Sequence, residues 1–155
     1  MAGTFSQVYI HIVFAVKARQ SLIDPAWEEE VYMYISGIIR NKEQKLLCIN
    51  GMPDHIHILI GMKPNCCISD LVREVKKSSN DFINQKQFLK LRFQWQEGYG
   101  VFSHSHSSLD NVIVYIKNQK EHHKKQSFKE EYKDLLNAFQ IDYKDEYLFD
   151  WVEPE

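Results

Sequence analysis

Two histidines one residue apart, His55 and His57, lie in the run Pro53-Asp54-His55-Ile56-His57-Ile58-Leu59-Ile60. Imidazoles alternating with β-branched aliphatics predict a strand. Successive strand side chains face opposite ways, so both histidines share one face, about 6–7 Å apart, while Ile56, Ile58 and Ile60 point into a core. Two imidazoles held in parallel on a rigid backbone can grip one metal ion and leave positions open for further ligands and a substrate. Solvent-facing or core-bonded histidines would show the same local pattern, so this pair alone does not decide its use.

A second pair lies further on. Tyr115 and Gln119 are four residues apart in Val112-Ile113-Val114-Tyr115-Ile116-Lys117-Asn118-Gln119, hence on one helical face and one turn from each other. His122 and His123 follow on nearly the same side. Such a Tyr/Gln pair is common on helix surfaces. Another His-x-His, His104 and His106, falls in a Ser-rich loop with no rigid backbone behind it and reads as solvent-exposed. His11, inside the apolar run at residues 5–16, reads as a core histidine.

The elements that must position these groups follow from periodicity and punctuation. Residues 5–16 are β-rich and aromatic, long enough for a central strand. Asp24-Pro25 supplies an N-cap and a first-turn proline, and Trp27, Val31, Tyr34, Ile35, Ile38 and Ile39 trace an amphipathic helix to about Asn41. Residues 45–50 form a second strand, joined through Asn50-Gly51-Met52-Pro53-Asp54 to the histidine strand as a hairpin. Ile68, Leu71, Val72, Val75, Phe82 and Ile83 mark a second helix, whose other faces carry Arg73, Lys76 and Lys77. That basic side is either solvated surface or a track for phosphates. Residues 93–96 read as a further strand, continued by residues 98–102. Ser107 and Asp110 resemble a capping box opening a third helix that runs to about Lys125. A last helical pattern covers residues 128–139, before an acidic aromatic tail. This order predicts an α+β sandwich, an antiparallel β-sheet with helices packed on it.

The chain has 155 residues, 44% hydrophobic and 13% aromatic, which suits one domain with one core. No apolar run is long enough to span a membrane, and no secretory signal is visible, so a cytoplasmic location is expected. The three cysteines, Cys48, Cys66 and Cys67, have no Cys-x-x-Cys spacing and read as reduced thiols. The net charge of −2 is unevenly spread. Residues 130–155 hold nine acidic and two basic side chains, leaving residues 1–129 at +5. A mildly basic body with an acidic tail is compatible with nucleic acid meeting the body. A boundary is expected between residues 1–126, which carry the candidate site, and 127–155, the last helix and tail, either part of the same domain or an extension of it.

Taken together, the histidine strand and the Tyr/Gln helix resemble the single-tyrosine HUH transposases, insertion-sequence enzymes that act on single-stranded DNA in bacterial cells. His55-Ile56-His57 corresponds to the His-hydrophobe-His motif and Tyr115 to the nucleophile, while Gln119 matches the position that completes the metal site. Tyr9-Ile10-His11-Ile12-Val13-Phe14, Met52-Pro53-Asp54, Ile68-Ser69-Asp70-Leu71-Val72 and Trp95-Gln96-Glu97-Gly98-Tyr99-Gly100 also fit, in family order, over about residues 5–125. Cys66-Cys67 departs from the pattern, where a serine-type cap is more usual. The resemblance implies the ferredoxin/RRM-like HUH fold. It also implies a 5′-phosphotyrosine intermediate at Tyr115, and Mg²⁺ or Mn²⁺ at His55, His57 and Gln119. DNA hairpins near the element ends would be the partner. The enzyme would be a homodimer in which one subunit's tyrosine helix can complete the other's site. Imidazole ligands alone would equally admit Zn²⁺ or Ni²⁺.

Three other readings compete. A non-catalytic single-strand or RNA-binding module fits the sheet and aromatics but lacks an RNP-like signature and leaves the histidines unexplained. Another HUH enzyme, such as a replication initiator, a relaxase or a domesticated relative acting on palindromes, shares the chemistry. A small zinc hydrolase would add one of His104, His106, His122 or His123 to the first pair.

Overall fold

The computed structural model describes residues 3–152. Four strands, β1 (Val8–Ala15), β2 (Lys45–Met52), β3 (His55–Met62) and β4 (Gly100–His104), form one sheet in the order β2-β3-β1-β4. Every neighbouring pair is antiparallel. The histidine strand is therefore interior, paired on both sides. Gly51 allows the tight β2–β3 hairpin, since a Cβ there would lie 2.2 Å from the His55 carbonyl oxygen. A bulge at Leu47 lets Leu46 oppose Ile60 and Cys48 oppose Leu59.

Five helices complete the fold: α1 (Glu28–Asn41), α2 (Ile68–Lys86), α3 (Leu109–Lys117), α4 (Gln119–His122) and α5 (Phe128–Ala138). Ile10, Ile12 and Phe14 of β1 and Ile56, Ile58 and Ile60 of β3 pack with Val31, Ile35 and Ile39 of α1 and Leu71, Val72 and Val75 of α2. A smaller cluster of Cys48, Leu59 and Ile116 seats α3 against β2 and β3. There the Asn50 side-chain amide donates to the carbonyls of Ile116 and Lys117, at 3.0 and 3.1 Å. The result is the expected α+β sandwich. Phe128, Tyr132 and Leu136 of α5 and Phe149 of the tail share the main core with the sheet. Among the described residues, no helix is long and apolar enough to cross a membrane.

Several local expectations are corrected. Residues 93–96 make only one bridge, Val16 with Trp95, instead of a strand. Two backbone bonds flank that bridge, Lys17 N–H to the Gln94 carbonyl and Gln96 N–H to the Ala15 carbonyl. Side chains take the remaining groups: Asn84 bonds both the N–H and the carbonyl of Phe93, and Ser21 Oγ accepts from Gln94 N–H. The Ser107 capping box does not form. A 3₁₀ turn (His106–Ser108) intervenes, and Ser105, Ser107 and Ser108 bond one another. The third helix is split after Lys117 into α3 and α4. Asp24 accepts from Ala26 N–H in a turn, and α1 begins only at Glu28. Ser127, by contrast, caps α5 by accepting from Glu130 N–H, with Glu130 reaching back to the Ser127 hydroxyl.

Candidate active site

His55 and His57 share one face of β3, as the alternation predicts, and both are fully buried. Buried imidazoles need partners at both nitrogens, and the fold supplies them. His55 Nδ1 lies 2.7 Å from Asp54 Oδ1, and His57 Nδ1 lies 2.7 Å from His11 Nε2. His11 reaches it as a diagonal neighbour, because His11 opposes Leu59 in the β1–β3 register. With both Nδ1 atoms engaged, the two Nε2 atoms are left to face the space beneath α3 and α5.

A carboxylate fills that space. Glu131 of α5, 2% exposed, places Oε1 at 3.2 Å from both His55 Nε2 and His57 Nε2 and at 3.0 Å from His123 Nε2. Its other oxygen, Oε2, accepts from Gln119 Nε2 at 2.9 Å and from the Tyr115 hydroxyl. Gln119, fully buried, turns its own carbonyl oxygen to within 3.1 Å of His55 Nε2. Tyr115, Gln119, His55 and His57 are thus brought together within one chain. The break at Asn118 keeps Gln119 buried while Tyr115 stays half-exposed.

Burial and charge set the protonation states. Burial alone would lower His55, but hydrogen bonds and charges from Asp54 and Glu131 outweigh it and bring the group up to about 9. Burial would raise Glu131, yet the charge of His57 and hydrogen bonds from His123, His55 and His57 hold it well below the usual carboxylate range. Burial, then the Glu131 charge and hydrogen bond, push the Tyr115 phenol up, so it is a protonated donor at neutral pH. Burial and the neighbouring His57 lower His11 well below the usual histidine value, leaving it neutral.

The donor set suits a divalent cation. His55, His57 and Glu131 each offer a ligand atom, all within 4.8 Å of one another. The contacts of 3.0 to 3.2 Å among Nε2 and carboxylate atoms are close to the ~3 Å edge of a coordination shell with bonds of about 2.1 Å. Three electron-pair donors and the Gln119 oxygen converge on one region. Mixed nitrogen and oxygen ligands are compatible with Mg²⁺ or Mn²⁺ and do not exclude Zn²⁺.

The chain is matched over residues 4–119 by the family model described as Transposase IS200 like. The chain belongs to the IS200-like transposase family. It is 22% identical over 122 residues to the ISDra2 transposase TnpA of Deinococcus radiodurans, covering 76% of this chain and 87% of that one. A crystal structure of a putative transposase from Deinococcus radiodurans matches at TM-score 0.62 and 23% identity, over 77% of this chain and 95% of that one. A REP-associated tyrosine transposase bound to a REP hairpin matches at TM-score 0.60 and 14% identity, over 97% of this chain and 91% of that one. The second structural likeness therefore takes in α5 and the tail as fold, where the family model stops before them.

The other singled-out residues are dispersed. His123 joins the cluster, His122 Nε2 stands 3.7 Å from Glu131, and His106 is exposed. His104 is half-buried on β4, near the His11 ring. The basic residues of α2 do not form one patch. Arg73 pairs with Asp70 at 2.7 Å on the surface. Lys76 donates to the carbonyls of Gln96 and Gly98, at 2.7 and 2.6 Å, and its burial lowers it to about 8. Lys77 lines an open groove of about 480 Å³ with Lys17 and Arg92, and Lys76 reaches its wall while bound to the two carbonyls. A second cleft, of about 600 Å³, opens over Tyr115 and is lined by Asn118, Glu121, His122 and Lys125.

Glu131 is the residue that sequence reasoning passed over. A signal was present: Phe128, Glu131, Tyr132 and Leu135 recur at three and four, so a carboxylate sits in an apolar stripe. A charge in such a stripe is buried and must have partners.

Proposed function

We propose that this transposase cleaves and rejoins single-stranded DNA through a covalent bond between Tyr115 and a 5′-phosphate, excising and inserting an insertion sequence. The observation that carries the reading is the meeting of the Tyr115 hydroxyl, the His55 and His57 imidazoles and Gln119 around one buried carboxylate. In a family of transposases, that constellation suits phosphoryl transfer to a tyrosine.

His55, His57 and Gln119 would hold Mg²⁺ or Mn²⁺, which when bound polarises the scissile phosphate and neutralises charge developing on it. The chain's own groups do the rest. Asp54 and His11 fix the two imidazole rings through their Nδ1 atoms, so the Nε2 atoms stay aimed at the site. Glu131 Oε2 holds the Tyr115 hydroxyl and is placed to take its proton. DNA reaches Tyr115 through the cleft above it. The phenolic oxygen forms a bond to phosphorus as the bond to the 3′-oxygen breaks, and the 3′-oxygen leaves as a hydroxyl after gaining a proton. Since the phosphodiester is exchanged without hydrolysis, attack by a 3′-hydroxyl on the phosphotyrosine reseals DNA without a nucleotide cofactor. Arg73 and Lys77 belong to the proposed DNA-facing surface, with Lys76 holding the backbone beneath it.

A homodimer, implied by the family resemblance, is part of the proposal. Tyr115 reaches the histidines of its own chain, so a second copy would organise DNA ends without having to complete the site. Light scattering at micromolar concentration checks it: a dimer is expected, and a monomer with full cleavage activity would remove it. A second reading, an enzyme that processes chromosomal palindromes outside a mobile element, is favoured by the nearly full-length likeness to the REP-hairpin-bound transposase. Imperfect palindromes inside both ends of the genomic locus would favour the mobile element. Isolated hairpins without element ends would favour this alternative.

The decisive experiment incubates the protein with Mn²⁺ and single-stranded DNA carrying a hairpin and an element end. A denaturant-resistant adduct should form, with the 5′-phosphate mapped to Tyr115. Tyr115→Phe should bind the same DNA and form none. An adduct on Tyr99, or cleavage to a free 5′-phosphate without any adduct, would overturn the tyrosine mechanism.

A further inference from the structure

Glu131 lies outside the residues 4–119 that the family model matches, on a helix that shares the main core with the sheet. Its helix is held in place by contacts that aim it. Ser127 caps its first turn, and the Phe128 ring stacks on His55 at 3.9 Å with 7° between planes. Phe149 and Trp151 of the tail pack on Phe128 and Tyr132. Asp150 is tied to Gln96 through both its N–H and its carbonyl. The carboxylate is therefore delivered to the histidines by a braced element.

The hydrogen-bond pattern explains what this carboxylate faces. Asp54 accepts at His55 Nδ1, so a neutral His55 presents a lone pair at Nε2. Gln119 donates its amide to Glu131 Oε2, which fixes its carbonyl oxygen toward that same Nε2. Glu131 Oε1 lies at 3.2 Å from both Nε2 atoms. Two imidazole nitrogens, an amide oxygen and a carboxylate oxygen thus point at one another. Such a set holds together either through protons on the imidazoles, which then donate to Glu131, or through a metal cation that takes their place among the same atoms.

We infer that Glu131 is an anionic ligand of the metal centre, so that α5 turns the His55, His57 and Gln119 set into a charged site that loads a divalent ion before DNA arrives. This rests on the metal-dependent reading above. Two imidazoles and an amide are neutral and bind a hard divalent ion weakly; one carboxylate adds the charge and oxygen character that Mg²⁺ and Mn²⁺ prefer. The second oxygen of the same carboxylate accepts from the Tyr115 hydroxyl, so the side chain that would bind the ion also holds the nucleophile.

The test uses Mn²⁺ alone, without DNA, measured by calorimetry and by electron paramagnetic resonance of free Mn²⁺. The full chain should bind one Mn²⁺. Glu131→Gln, which keeps shape and removes charge, should weaken binding by at least about tenfold, and His57→Ala by at least as much. Equal affinity in Glu131→Gln would overturn the inference. Tighter binding would also overturn it, because the carboxylate would then be occupying the ion's place. So would a full chain that binds no Mn²⁺ without DNA. If His57→Ala binds Mn²⁺ like the full chain, the histidine assignment falls separately, whatever Glu131 does. Should Glu131→Gln fail to fold by circular dichroism, the unmodified protein crystallised with Mn²⁺ decides. An anomalous peak bonded to a Glu131 oxygen supports the inference, and a peak on the histidines with Glu131 out of bonding range refutes it.

Discussion

The two faces of β3 are buried equally and built oppositely. Ile56, Ile58 and Ile60 on one face are 0%, 1% and 0% exposed, and His55 and His57 on the other are both 0% exposed. The aliphatic face is stabilised without direction, by apolar area removed from water and by close packing against α1 and α2. The histidine face is buried only because each ring nitrogen has a named partner: Asp54, His11, Gln119 or Glu131. The contrast teaches that one face tolerates exchange of shape-matched residues, whereas the other tolerates almost none. Losing one partner there leaves another buried polar atom unmet.

The sharpest way to break this comparison is on the polar face. His57→Ala should reduce metal-dependent cleavage by on the order of a thousandfold. It should cost only about 1–3 kcal/mol of stability, from the orphaned His11 and Glu131 contacts. A strand-cleavage assay beside a urea melt checks both, and wild-type cleavage would remove His57 from the site. On the aliphatic face, Ile58→Ala should do the reverse. About 2–5 kcal/mol of stability should be lost, while the fraction still folded binds Mn²⁺ as the parent does. Equilibrium unfolding and Mn²⁺ titration in the same buffer separate the two effects.

Smaller effects sharpen the comparison at the basic helix. Lys76→Ala removes an ammonium that holds the Gln96 and Gly98 carbonyls and should destabilise the fold by about 1–2 kcal/mol. Lys77→Ala, on the groove, should change stability by less than about 0.5 kcal/mol. It should nevertheless weaken single-stranded DNA binding and flatten its salt dependence by about one counterion. Thermal melts and binding isotherms at several salt concentrations distinguish the pair. Equal stability losses in both variants would mean the two lysines are not divided this way.

Much of this was determined by sequence alone. Alternation over residues 55–60 is a local property of an extended backbone, so it placed His55 and His57 on one face before any fold was known. The spacing of Tyr115 and Gln119 put them about one turn apart, although the helix breaks at Asn118 between them, and the motif order pointed to the family. Only tertiary structure decided the rest. Residues 93–96 have strand composition, but they pair with the end of β1 only around Trp95, because Asn84 and Ser21 side chains take the backbone groups of Phe93 and the Gln94 N–H. Lys76 looked like a free basic residue until the loop after Trp95 brought two carbonyls to it. Glu131 stands 74 residues from His57 in the chain, and no local periodicity relates them. Their meeting depends on α5 packing back onto the sheet. Periodicity reports which side of its own element a residue occupies; which elements converge is set by long-range burial of their apolar stripes, and the carboxylate travels with the stripe that carries it.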